Sequence, residues 1–99
     1  MTMSDANAAI IRNYFKDKPV LKAYLFGSYA RGDAGIESDI DILVELDYSE
    51  RIGTKYIQMQ LELKSLLKID VDLVSERALS RHIRPFVEKE KMLIYERPA

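Results

Sequence analysis

The stretch from Asp39 to Leu46 limits the fold of this chain more than any other. Ile40, Ile42, Val44 and Leu46 alternate with Asp39, Asp41, Leu43 and Glu45. Successive side chains of a strand point to opposite faces, so this reads as a strand with one apolar face in a core. Its other face begins with two aspartates, which a strand projects to the same side and a helix surface would not. A strand needs neighbours. Val20 to Phe26 is apolar and aromatic and ends at Gly27, and Ile69, Val71 and Leu73 alternate with Asp70, Asp72 and Val74. Met92 to Tyr95 gives a last strand.

Between the strands the period changes to that of helices. Ile10, Ile11, Tyr14 and Phe15 predict a helix over Ser4 to Lys16, with Ser4 as cap and Pro19 as stop. Tyr56, Met59, Leu63, Leu66 and Leu67 predict another over Thr54 to Leu67, its stripe widened by Ile57 and Leu61. Ser75 or Ser80 caps further turns toward Lys91, with Pro85 near a helix start. The order helix, strand, strand, helix, strand, helix, strand specifies an α/β or α+β fold, a mixed sheet covered by helices. The 99 residues form a single domain on this reading, 1–99.

Composition removes several chemistries. There is no cysteine and only one histidine, His82, so thiolate nucleophiles, thiolate zinc sites and histidine triads are excluded or disfavoured. No apolar run approaches the roughly 18 residues of a membrane span, and the N-terminus reads as no leader, so a cytoplasmic protein is expected. The net charge of −1 hides a split: residues 1–50 carry 5 Lys/Arg against 9 Asp/Glu, and residues 51–99 carry 10 against 7. That is too mild for a nucleic-acid surface and fits one acidic site that takes cations.

Gly27-Ser28-Tyr29-Ala30-Arg31-Gly32 follows a strand, and Ser38-Asp39-Ile40-Asp41 opens the next, with ten residues between Ser28 and Asp39. Gly27 lets backbone N–H groups approach an anion, and Ser28 adds a hydroxyl donor at the start of a short helix. This is a cradle for a triphosphate. Asp39 and Asp41 suit an oxygen-loving cation such as Mg²⁺ bridging to phosphate oxygens. A third carboxylate comes from the next strand, Asp72 in preference to Asp70, because Val71 and Leu73 pack inward. In a two-metal phosphoryl or nucleotidyl transfer that carboxylate ligates the cation activating the acceptor hydroxyl and takes its proton. Arg31 is placed either to neutralise the phosphates or to anchor its own loop. Asp39, Asp41 and Glu50 also stand at three calcium-loop positions, but Leu43 and Val44 occupy places that require an oxygen ligand and glycine.

Gly27-Ser28, ten residues, then Asp39-x-Asp41, with Arg31-Gly32 and Ser38 in place, resembles the minimal nucleotidyltransferases of the polymerase-beta superfamily. By motif the likeness covers residues 20–74, and it is similar to the MntA-type antitoxins paired with HEPN toxins. The resemblance implies the nucleotidyltransferase fold, two Mg²⁺ ions on Asp39, Asp41 and Asp72, and nucleotide binding by Gly27, Ser28, Arg31 and Ser38. It further implies ATP as donor and transfer of AMP to a tyrosine hydroxyl of a HEPN-type partner in a hetero-oligomer, which makes the chain an enzyme. Two rivals stand beside it: a non-catalytic antitoxin acting by occlusion, and a small-molecule nucleotidyltransferase completed by a second chain.

Overall fold

The computed structural model describes residues 3–99; the part of the leader reading that concerns Met1 and Thr2 lies outside the described residues. The elements are α1 (Asp5–Phe15), β1 (Val20–Phe26), α2 (Ser28–Arg31), β2 (Ile40–Leu46), α3 (Lys55–Leu67) and β3 (Val71–Ser75). A 3₁₀ turn (Glu76–Ala78), α4 (Arg84–Glu90) and β4 (Met92–Glu96) complete the chain. The four strands form one sheet in the order β3-β2-β1-β4. β1 runs antiparallel to both β2 and β4, while β2 and β3 are parallel, joined by α3 as a parallel pair requires. The sheet is mixed, as the pattern predicts. No helix among the described residues is long and apolar enough to cross a membrane.

One face of the sheet carries the main core. Ile40, Ile42, Val44 and Leu46 meet Ile11 and Phe15 of α1 and Met59, Leu63 and Leu67 of α3. Ser4 caps α1 as expected, its Oγ accepting from the Asn7 N–H at 3.1 Å. The α3 stripe is narrower than predicted: Ile57, Leu61 and Leu66 are more than half exposed. Tyr56, half-buried, and the three buried residues Met59, Leu63 and Leu67 suffice to cover their part of the sheet. On the opposite face, which Leu43 shares with Asp39 and Asp41, Leu43 is buried with Leu79 and Val87. The 3₁₀ turn and α4 fold back over this face, so β2 is covered on both sides except at its beginning. That leaves Asp39 and Asp41 at the open end of a covered face.

β3 starts at Val71, two residues later than the alternation suggests. It is fastened to α3 by polar side chains. The Tyr56 hydroxyl donates to the Leu73 carbonyl and accepts from the Ser75 N–H at 3.0 Å, and Gln60 Oε1 accepts from the Leu73 N–H at 3.1 Å. Tyr56→Phe leaves a carbonyl and an N–H without their partner and is expected to cost about 1–3 kcal/mol. Urea unfolding checks this, and a loss below about 0.5 kcal/mol would show that water replaces the hydroxyl.

Candidate active site

In the parallel pairing of β2 with β3, Asp41 stands opposite Asp72, so both carboxylates leave the same face from adjacent strands. Asp39 lies two residues earlier on that face and is exposed, as is Asp72, while Asp41 is half-buried. Burial first, then the negative charges of Asp72 and Asp39, push the Asp41 carboxyl up to about 6, against the pull of Arg31. Asp70 is not part of this group. It precedes β3, is exposed, and pairs with Lys64 at 2.9 Å. Of the two, it is Asp72 that the strand register brings beside Asp41.

The turn after β1 comes against the same carboxylate. Gly27 sits at φ +73°, and a Cβ built there collides with Asp41 Oδ2 and lies 3.1 Å from Asp41 Cγ. A side chain is excluded twice, by conformation and by space. Ser28 opens α2, whose four residues close on Gly32 in the left-handed region, and Tyr29 is buried in the main core. Four residues make little macrodipole, so any anion held here is held by local N–H groups and the hydroxyl rather than by a helix field. Ser38 is occupied locally: its Oγ accepts from the Gly35 N–H at 2.8 Å, closing the turn that delivers Asp39 to the sheet.

Arg31 is held by two carboxylates, its Nη1 donating to Glu90 Oε2 at 3.1 Å and its Nε to Asp33 Oδ2 at 3.3 Å. The other oxygen of Glu90 accepts from the Gly27 N–H at 2.9 Å. Sequence reading missed Glu90, and no local pattern points to it because its partners lie about sixty residues away.

As the side chains stand, no three metal-ligating groups among the described residues converge on one point. The donor set nevertheless suits a hard divalent cation: it is all oxygen, two members are register neighbours, and Asp41 bears an ionisation cost from like charges that a cation would remove.

The mixed sheet thus sets a glycine-serine turn against the Asp39-x-Asp41 pair and Asp72 of the parallel neighbour. The chain belongs to the nucleotidyltransferase domain family, matching it over residues 9–97. It is similar to a protein named as a protein adenylyltransferase of Methanocaldococcus jannaschii, with 39% identity over 88 residues covering 85% of each chain. A toxin-antitoxin crystal structure with AMP-PNP superposes with a TM-score of 0.73 at 28% identity, covering 94% of this chain and 74% of the other. The MNT antitoxin in complex with a tri-AMPylated HEPN toxin of Shewanella oneidensis gives a TM-score of 0.70 at 26% identity, over 95% and 73%.

Proposed function

We propose that this chain transfers AMP from Mg·ATP to a hydroxyl, tyrosine foremost, of a HEPN-type partner protein, and so acts as the antitoxin of a toxin-antitoxin pair. The observation that carries the reading is the register of Asp41 against Asp72 beside a glycine that has no room for a side chain. Support comes from the relative named as a protein adenylyltransferase and from the two complexes just described.

In this reading the Gly27–Ser28 turn and Arg31 hold the β- and γ-phosphates, and Ser38 supports the loop that carries Asp39. Magnesium, held by Asp39, Asp41 and Asp72, supplies charge neutralisation at the phosphates. Asp72 takes the proton of the acceptor hydroxyl, whose oxygen bonds to the α-phosphorus as the bond to the β-phosphate oxygen breaks and pyrophosphate leaves. Most of this chain forms the sheet and its covering helices, so the acceptor is expected to bring its own surface. The basic residues after β3 are suited to steer an acidic one, but Arg84 is not free for it. Its Nη2 donates to the Glu76 and Leu79 carbonyls, fastening the segment before α4, so Arg81 and Lys89 are the positions for a charge-reversal test.

The test is incubation with ATP and Mg²⁺, with and without the protein encoded beside it, followed by intact mass measurement. One or more AMP moieties on the partner are expected; tight binding with no mass gain would show neutralisation by occlusion instead. Within the same assay, Asp72→Asn is expected to lose transfer and Asp70→Asn to retain it within about threefold, since the latter loses only an exposed ion pair. The reverse pattern would move the third ligand to Asp70.

A further inference from the structure

Glu90 ends α4 and leads into β4, yet its carboxylate reaches the turn that follows β1. One oxygen accepts from the backbone N–H of Gly27 and the other from the guanidinium of Arg31. The Glu90 side chain is three-quarters buried, whereas the Arg31 side chain is half exposed, so the anchored end of this bridge is the glutamate. Both groups it holds belong to the proposed triphosphate cradle.

We propose that Glu90 is a positioning residue of the donor site, fixing the Gly27–Ser28 turn through the backbone and holding Arg31 at the mouth, away from the carboxylates that take the cation. This rests on the nucleotidyl-transfer reading above. Two effects oppose each other when Glu90 is removed. Loss of a negative charge near the cradle favours a polyanion. Against this, the paired charges of Glu90 and Arg31 largely cancel already, and an Arg31 left with Asp33 alone is drawn to other nearby anions. Released, it would compete with the cation there and withdraw from the phosphates. The turn would also lose a side chain that grips its backbone from the far end of the chain. The net effect is a weaker donor site, expressed only by ligands that carry β- and γ-phosphates.

The experiment is calorimetric titration of the full chain with Mg·AMP-PNP and, separately, with AMP, beside thermal unfolding of each variant. Glu90→Ala is expected to weaken Mg·AMP-PNP about tenfold or more, the scale of a lost charge-assisted contact, while AMP binding moves less than about twofold. Glu90→Gln keeps an acceptor for the Gly27 N–H but loses the charged partner of Arg31, so it falls between. On an Arg31→Ala background the further loss from Glu90→Ala should shrink, because the two act as a unit. Wild-type-like or tighter binding of Mg·AMP-PNP by Glu90→Ala would overturn the proposal, as would equal losses for both ligands together with a lowered Tm. A wild-type chain that binds no Mg·AMP-PNP would overturn the donor-site reading itself, and the proposal with it. If Glu90→Ala does not fold, Glu90→Gln decides alone, with a loss below about twofold counting against the proposal.

Discussion

Asp41→Asn is expected to abolish transfer while making the metal-free protein more stable at neutral pH. The loss of activity should be roughly 10³-fold or more, as when a group that acts on the transition state is removed. The gain in stability follows from the same carboxylate. Its folded-state value lies near 6 against an ordinary 3.8, raised first by burial and then by Asp72 and Asp39. A group raised on folding contributes stability that is present below its unfolded value and lost as pH climbs through its folded value. The wild-type chain should therefore lose stability between about pH 4 and pH 6 on account of this residue. Two units would amount to about 3 kcal/mol, and half-exposure to solvent reduces that to about 1–2 kcal/mol. Asp47 works in the opposite sense but lower on the scale: hydrogen bonds from Ser49 and Arg97 hold it near 2, so its contribution disappears only below pH 4. Urea unfolding of both proteins at pH 4 and pH 7.5 isolates the effect: the variant should lead at pH 7.5 and not at pH 4. Saturating Mg²⁺ should close the gap. A difference independent of pH would mean that Asp41 pays no ionisation cost in the fold.

Gly27→Ala should damage both stability and activity. A Cβ there collides with Asp41 Oδ2, lies 3.1 Å from Asp41 Cγ, and sits on a residue at φ +73°. At φ +73° and ψ −153° the backbone lies in a region essentially reserved for glycine and costs about 1–3 kcal/mol for an L side chain, to which displacing Asp41 adds. Transfer should fall at least about a hundredfold, since a misplacement near 1 Å is enough for that. Gly53→Ala is the control: its φ is +48°, but nothing lies within 4 Å of the added carbon. It should cost about 1 kcal/mol and leave transfer intact. If the two variants lose the same stability and activity, contact with Asp41 is irrelevant and only backbone conformation counts.

These residues were readable from sequence to different depths. Strand parity alone placed Asp39 with Asp41 and favoured Asp72, because Val71 and Leu73 need the core; the observed register sets Asp72 beside Asp41. The glycine-serine turn was legible because few residues tolerate φ above zero. Alternation put Leu43 on the face of the aspartates but does not tell whether a distant segment later covers that face, as Leu79 and Val87 do. Ile57, Leu61 and Leu66 were read as core for a related reason: period marks an apolar stripe, and the width actually buried depends on the partner surface. Glu90 was beyond reach altogether. Its two contacts arise from α4 folding back across the sheet, a tertiary event without a local signature.

The order β3-β2-β1-β4 also has a meaning in time. β1 pairs with a strand made some seventy residues after it, Lys22 lying opposite Glu96. Translation at about 5–20 residues per second leaves that side of β1 open for roughly 4–15 seconds, while β2 has already claimed the other side. For nearly all of that interval Glu90 has not been synthesised, and the Gly27 amide and Arg31 have no grip from it. On the proposed reading, a nascent chain can therefore assemble its aspartates before its donor site is complete, and the site is finished with the arrival of the last strand.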